Sequence, residues 1–435
     1  MTRARAVAGT PPPVELLTIG DELLLGFTVD TNAAHIARAL AGIGFDVVRR
    51  GSVGDDAGAI ARAVREALDR TGALITTGGL GPTADDRTRP AIAAAFGRPL
   101  RRDDAILAAI AARFAALGRP MPPANDVQAM VPAGARILTN HHGTAPGLWI
   151  EDDAGRWVAM LPGVPREMRG MLADTLLPRL AERVLPGAGV IRSRTVRTTG
   201  IGESALAELL GELGGATVEG LPLAFLPGWE GVDLRLTARG LAADEAERAL
   251  ERAADALRGR AARFIYGQDG ADLAEIVLRR CREQGLTLAT GESCTGGLLG
   301  ARITAIPGAS DRYLGGVVAY DNAVKRTLLG VDEELLRVHG AVSEPVVLAM
   351  ARGTRAALGA DAAMAVTGIA GPGGGSAEKP VGTVWLAADV RGTARAVVRV
   401  LPGDRDEIRR RATQGALDLL RRVLDAGESA GSTAP

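Results

Sequence analysis

The sequence predicts an α/β protein in which two sheet-and-helix domains flank a small α+β connecting domain. Three observations predict it. Apolar runs alternate with amphipathic stretches between residues 14 and 77, the order that builds a parallel sheet with helices on its faces. Residues 286–304 read as strand, Gly-rich turn and helix. Between them, residues 186–267 run strand, helix, two strands, helix. The predicted domains are 14–183, 186–267 and 270–425.

The elements follow in order. Val14 to Ile19 is a strand ending at Gly20-Asp21-Glu22. Asp30 to Ala41 has helical spacing, Asp46 to Val53 returns as a strand, Asp56 to Asp69 is an amphipathic helix, and Ala73 to Thr77 is a third strand. Helices are predicted at Asp103 to Leu117 and Pro165 to Leu180. The connecting domain holds a strand at Arg192 to Thr198, a helix opening at Gly202-Glu203-Ser204, two strands around Leu223 to Arg239, and a helix at Asp244 to Leu257. The last domain starts with a helix, Ala271 to Glu283, then a strand, Leu286 to Thr290, and a helix, Glu292 to Thr304. A strand at Tyr313 to Tyr320, two or three helices, strands at Ala362 to Thr367, Gly382 to Ala388 and Ala394 to Val400, and a helix at Asp404 to Val423 complete it. Met1 to Pro13 and Ala426 to Pro435 read as disordered ends.

Composition removes several function classes. A net charge of zero argues against broad electrostatic binding of nucleic acid or an acidic membrane. Aromatic residues are 3%, too few for base-stacking platforms. No apolar run reaches the roughly 18 residues that span a bilayer, and the N-terminus lacks a signal-peptide core. Cys281 and Cys294 are the only cysteines, which points to a reducing cytoplasm and not to a disulfide framework.

Only two of the 51 basic residues are lysines, Lys325 and Lys379. Arginine stays protonated, whereas a lysine amine can be tuned into a base. Lys325 lies in Tyr320-Asp321-Asn322-Ala323-Val324-Lys325, and Lys379 follows the glycine-rich run Gly368 to Gly375. Gly291-Glu292-Ser293-Cys294-Thr295-Gly296-Gly297 falls between a strand and a helix, which exposes Ser293 at the carboxyl edge of a sheet. The alternative for Ser293 is a helix cap. A serine nucleophile needs a base. The four histidines, His35, His141, His142 and His339, are poorly placed in the sequence for it, so Lys325 with Tyr320 is the better candidate. Cys294 is the rival nucleophile. Helix N–H groups near Cys294 and Thr295 are expected to hold an oxyanion. The loop Val366 to Gly375 allows close backbone approach to a phosphate or carbonyl, but lacks a Walker ending. Arg405 and Arg409 open the last helix, as charged anchors or as a solvated face.

In the first domain, Thr76-Thr77-Gly78-Gly79-Leu80-Gly81-Pro82-Thr83-Ala84-Asp85-Asp86 follows the third strand. Gly78, Gly79, Gly81 and Thr83 are nucleotide-binding candidates. Asp85 and Asp86, with Asp21 at the same predicted sheet edge, are candidates for a divalent metal; the alternative for Asp85 and Asp86 is a helix N-terminal charge.

Taken together, the Ser293 turn, the Tyr320–Lys325 element, Gly340-Ala341-Val342-Ser343 and Thr367 to Gly382 resemble the nicotinamide-nucleotide amidases, the C-terminal domain of the CinA (competence/damage-inducible) family. The resemblance implies hydrolysis of the carboxamide of nicotinamide mononucleotide without a cofactor. It implies Ser293 as nucleophile, Lys325 and Tyr320 as its activators, and substrate contacts from Thr295, Gly296, Thr367, Gly368, Gly371 and Arg405 or Arg409. Residues 14 to 180, with Asp30-Thr31-Asn32, Asn140 to Gly147 and Leu161 to Pro165, resemble the family's molybdopterin-binding-like domain. That resemblance implies a metal-dependent ADP-ribose pyrophosphatase. Phe27 departs from the family pattern, where a polar residue commonly follows Gly26. The implied partners are small nucleotides, with no membrane, no direct nucleic-acid binding and self-association as a plausible state. The rival readings are a molybdopterin-binding or adenylyl-transfer protein and a non-enzymatic competence accessory.

Overall fold

The structure is a computed structural model and describes residues 12–184 and 189–431. The expected N-terminal leader lies outside the described residues apart from its last two. The chain forms two compact units. One runs to Arg192 and includes Ala238–Ala249; the other holds Ser193–Thr237 and continues from Leu250.

The first unit opens with β1 (Pro13–Ile19), α1 (Asp21–Leu24), α2 (Thr31–Gly42), β2 (Asp46–Val53), α3 (Ala57–Arg70), β3 (Ala73–Thr77) and α4 (Thr88–Ala95). Next come β4 (Leu100–Arg102), α5 (Asp104–Ala116), β5 (Met130–Pro132), β6 (Arg136–Leu138), β7 (Gly147–Glu151) and β8 (Trp157–Leu161). The sheet order is β2-β1-β3-β8-β7-β6. β2, β1, β3 and β8 are parallel, and β7 and β6 run antiparallel at one edge, so the expected parallel sheet is a mixed one. β4 and β5 form a separate ribbon. Asp30, Asp56 and Asp103 accept the first-turn N–H groups of α2, α3 and α5, which fixes where those helices start. Ile36 and Leu40 of α2 pack against one face of the sheet; Ile60 and Val64 of α3 pack against the other.

The helix expected over Pro165 to Leu180 is interrupted. α6 (Pro165–Met171) and α7 (Leu177–Ala181) are joined by a π turn, Leu172–Leu176. Pro178 has no N–H and its ring crowds the preceding turn, and the wider turn relieves both.

The small domain is a five-stranded sheet of order β10-β11-β12-β9-β13, from β9 (Val190–Thr198), β10 (Thr217–Val218), β11 (Leu221–Pro227), β12 (Val232–Leu241) and β13 (Ile265–Gln268). Its helices are α8 (Glu203–Leu210) and α9 (Ala243–Ala261).

The C-terminal domain contains α10 (Leu273–Glu283), β14 (Leu288–Glu292), α11 (Leu298–Thr304), β15 (Tyr313–Val318), α12 (Asn322–Leu329), α13 (Glu333–His339) and α14 (Glu344–Leu358). It closes with β16 (Ala362–Gly368), β17 (Thr383–Val390), β18 (Thr393–Val400) and α15 (Arg405–Gly431). α15 therefore continues well past Val423, through part of the expected tail; residues 432–435 lie outside the described residues. The sheet order is β15-β14-β16-β17-β18. β15, β14 and β16 are parallel, and β17 and β18 antiparallel. α10, α11 and α15 cover one face; Met350 and Val347 of α14 anchor the cover of the other. Among the described residues no helix is long and apolar enough to cross a membrane.

Candidate functional site

Three parallel strands end at one edge of the C-terminal sheet. Glu292 is in register with Val318 on one side and Val366 on the other. Ser293 leaves β14 there, its N–H donating to Val366 O at 2.9 Å, while Ala319 N–H donates to Glu292 O at 2.7 Å. Gly291 is required just before the turn: a Cβ at that position would lie 2.2 Å from Thr354 Oγ1.

The helix expected from Glu292 starts later, at Leu298. Glu292 stays in the strand, 2% exposed, and turns its carboxylate onto the helix end. It accepts from Gly297 N–H (3.0 Å), Leu299 N–H (3.0 Å) and Gly300 N–H (2.8 Å). The α11 N–H groups are thus spent on Glu292 and do not face an oxyanion. Neither the N–H of Cys294 nor that of Thr295, in the turn itself, donates to the backbone of another described residue. Sequence reading quoted Glu292 without giving it a role; its place inside the strand–turn–helix motif was the available signal.

Lys325 is 1% exposed, among the largest fully buried side chains. Its Nζ donates to Tyr320 O at 3.2 Å. Burial lowers its pKa, partly opposed by the negative charge of Asp321. No described carboxylate forms an ion pair with Lys325, and no described hydrogen bond joins its amine to Ser293 Oγ. Tyr320 meets Lys325 through its carbonyl; the hydroxyl, expected to orient the amine, instead accepts from Arg405 Nη2 at 2.9 Å. The side chain of Tyr320 is 60% exposed, so it belongs to the rim.

The remaining C-terminal candidates gather on the same edge. Arg405 Nη1 donates to Gly371 O at 2.6 Å, tying the glycine-rich loop to Tyr320. Arg409 Nη2 donates to Thr295 O at 2.9 Å, and its guanidinium lies 3.7 Å from where a Gly296 Cβ would stand. Both arginines therefore reach the site, one on each side. Thr295 is fully buried with Oγ1 unpartnered among the described residues. Thr367 Oγ1 donates to Ala341 O at 2.9 Å, just ahead of Gly368, and Lys379 Nζ donates to His339 O (3.1 Å) and Val342 O (2.9 Å). Lys379 thus staples the glycine-rich loop to the Gly340–Ser343 turn. Cys294 is 6% exposed, and burial pushes its thiol up to about 12, which disfavours the thiolate.

In the first unit a cavity of about 440 Å³ opens at the carboxyl ends of β1 and β3, lined by Gly78, Gly79, Gly81, Asp85, Asp86, Asn32 and Asp55 among others. Gly78, at φ 108°, passes so near β1 that a Cβ would sit 2.1 Å from Ile19 O. Behind the loop, buried Arg89 donates to Leu80 O (3.1 Å) and Gly81 O (3.0 Å); desolvation holds its pKa down to about 10. Arg89 is a shaping residue that the sequence does not mark, whereas Asn32, from the Asp30-Thr31-Asn32 motif, donates from Nδ2 to Gly163 O at 2.7 Å.

The three carboxylates read as metal candidates do not assemble into a metal centre. Asp86 spends both oxygens within its own loop, on Gly81 N–H (2.7 Å), Thr83 N–H (2.8 Å) and Thr83 Oγ1 (2.5 Å). Asp21 accepts from Asp55 N–H and Asp55 from Asp21 N–H, so these two carboxylates lock neighbouring loops together. Asp85 stands exposed at the mouth. No group of three or more His, Cys, Asp or Glu among the described residues is placed to hold a metal ion. Burial and the charges of Asp21, Glu22 and Asp85 raise the pKa of Asp55.

Three family models match the chain. One described as the CinA C-terminal domain matches residues 270–424. A probable molybdopterin binding domain matches 15–182, and a damage-inducible protein CinA KH domain matches 193–267. A CinA-like protein of Gemmatimonas aurantiaca is 60% identical, covering 96% of this chain and 98% of its own length. A putative competence-damage inducible protein of Moorella thermoacetica is 45% identical over 95% of this chain and 99% of its own. A crystal structure of the protein CinA from Thermoplasma acidophilum is 37% identical with a TM-score of 0.36, covering 39% of this chain and 98% of that one. With matches across the molybdopterin-binding-like, KH and C-terminal domains, the chain belongs to the CinA family.

Proposed function

We propose that the C-terminal domain hydrolyses the carboxamide of nicotinamide mononucleotide, giving nicotinate mononucleotide and ammonia. The observation that carries the reading is Lys325: a fully buried amine with a lowered pKa and no described ion-pair partner, on the element that follows the strand flanking Ser293. A structural lysine has no reason to be buried without a carboxylate. A general base does.

In the scheme, Ser293 Oγ attacks the amide carbon as Lys325 takes the hydroxyl proton. Cys294 and Thr295 N–H stabilise the tetrahedral oxyanion. Lys325 returns the proton to the departing ammonia, leaving an ester on Ser293. Water, deprotonated by the same amine, then hydrolyses that ester. Arg405 and Arg409 keep further N–H donors for the nucleotide phosphate. The test is ammonia release from nicotinamide mononucleotide by wild type and Ser293→Ala. Release by wild type alone supports the reading; equal release by both refutes it.

For the first unit we infer binding of a phosphate-bearing nucleotide in the glycine-lined cavity. ADP-ribose with a divalent metal is the substrate to try, and no metal-borne step is derived from residues that do not form a metal centre. Direct nucleic-acid binding is not part of the reading. KH modules clamp single strands with a Gly-x-x-Gly loop. Here Gly211-Glu212-Leu213-Gly214 carries a carboxylate that would repel a phosphate.

A further inference from the structure

We propose that the second unit carries a further ligand site, for a nucleotide, in the crevice between β18, α15 and the Thr199–Gly202 turn of the small domain. The crevice has a volume of about 730 Å³, within the usual range for small-molecule sites. It is separate from the serine site. Arg411, Gly415, Asp418 and Arg422 line it at the spacing of one face of α15. Arg405 and Arg409 leave the same helix toward Tyr320 and Thr295.

Its charge is what points to an anion. Arg395 and Arg399 stand on the face of β18 that also carries Val397, in register with Ala388, Val384 and Leu386. Four steps along the strand separate them by roughly 13 Å, with Arg411 contributed from α15. None of these three arginines forms an ion pair with a described residue, and Arg411 Nε is buried without a hydrogen-bond partner. Two of the acids lining the crevice are already spent. Glu230 is held by Arg197 and Arg302, and Asp418 by Arg421 and Arg422. Glu344, at the first turn of α14, is the remaining one. A buried guanidinium edge with no acceptor is costly, and a planar fork suits a phosphate group.

Apolar side chains are interleaved with the arginines. Val397 lies between Arg395 and Arg399 on the same face of β18, Leu386 is its cross-strand neighbour, and Ile201, Leu401, Leu419 and Trp229 also line the crevice. An inorganic anion would leave these side chains uncovered. A nucleotide meets both kinds of group, with phosphates on the guanidinium groups and the heterocycle on the apolar side chains. This site is independent of the reaction assigned to Ser293.

The test is calorimetric titration of the full chain with ADP and, separately, with inorganic pyrophosphate. Wild type is compared with the double variant Arg395→Gln/Arg411→Gln, with melting temperature as the folding check. Arg399→Gln, at an exposed position, is the second variant should the double variant fold poorly. ADP also serves as a probe of the N-terminal cavity, so the readout is the binding lost in the variant. The expected result is at least tenfold weaker ADP binding at one site in the double variant, a smaller loss in Arg399→Gln, and no loss of that site in Arg405→Gln. Pyrophosphate is expected to bind the same site more weakly than ADP. Identical isotherms for wild type and double variant, or equal loss in Arg405→Gln, would overturn the proposal. Pyrophosphate binding as tightly as ADP would overturn the nucleotide assignment.

Discussion

Replacing Lys325 by methionine separates a functional lysine from a structural one. The side chain is 1% exposed, so an ammonium there has lost its water and recovers only the Tyr320 carbonyl and the nearby Asp321. Methionine fills a similar volume without a charge. Replacing even a buried ion pair by apolar packing is neutral or stabilising, by up to roughly 4 kcal/mol, and a buried ammonium without an ion pair has less to lose. Lys325→Met is therefore expected to unfold at higher urea than wild type near pH 7. The sign with pH follows from the lowered pKa. The unfolded lysine holds its proton up to about 10.5, and the folded one releases it earlier. The stability deficit of wild type is full below the folded pKa and fades as pH rises toward the unfolded value. The advantage of Lys325→Met should shrink over that window. Activity should move the other way: loss of a general base costs roughly 10²–10⁴-fold in rate. Lys325→Arg should be as inactive as Lys325→Met, because guanidinium does not deprotonate. The assays are urea unfolding at several pH values and ammonia release. A Met variant less stable than wild type at every pH, or an Arg variant that retains activity, would refute the reasoning.

Other consequences follow from single residues. Glu292→Ala leaves three N–H groups at the start of α11 without their acceptor, so denaturant unfolding should show a loss of about 3 kcal/mol or more, with ammonia release abolished. A variant as stable as wild type would show that the cap is dispensable. Asp86→Ala frees the Gly81–Thr83 loop and should lower stability by roughly 1–2 kcal/mol, weaken ADP-ribose binding and leave ammonia release unchanged. Equal loss of both activities would contradict two independent sites.

The elements with strong periodicity were legible in the sequence, and their reasons are local. β2 and β3 run over the residues that the alternation and turn punctuation mark, and Asp30, Asp56 and Asp103 sit where caps belong. β4, β5 and β6 are three residues each, too short for any period to register. β7, apart from Glu151, and β8 are buried apolar runs around Asp152–Gly155; both faces are covered, so no alternation marks them in the sequence. At the serine site, residue identities and the sheet edge were legible. What was not is direction: a motif cannot say that Tyr320 presents its carbonyl to Lys325 and its hydroxyl to Arg405, nor that the α11 N–H groups belong to Glu292. The acidic pair Asp85-Asp86 misled for a related reason. Two adjacent carboxylates read as ligands, but in the fold one caps its own loop and the other faces solvent.

The central claim is that Ser293, activated by Lys325, carries the acyl group. Its most direct test is rapid quenching of wild type with nicotinamide mononucleotide, followed by intact-mass and fragment analysis. The account predicts an adduct with the mass of the substrate less ammonia, located on Ser293 and missing from Ser293→Ala. An adduct on Cys294 instead, or undiminished ammonia release by Ser293→Ala, would contradict it.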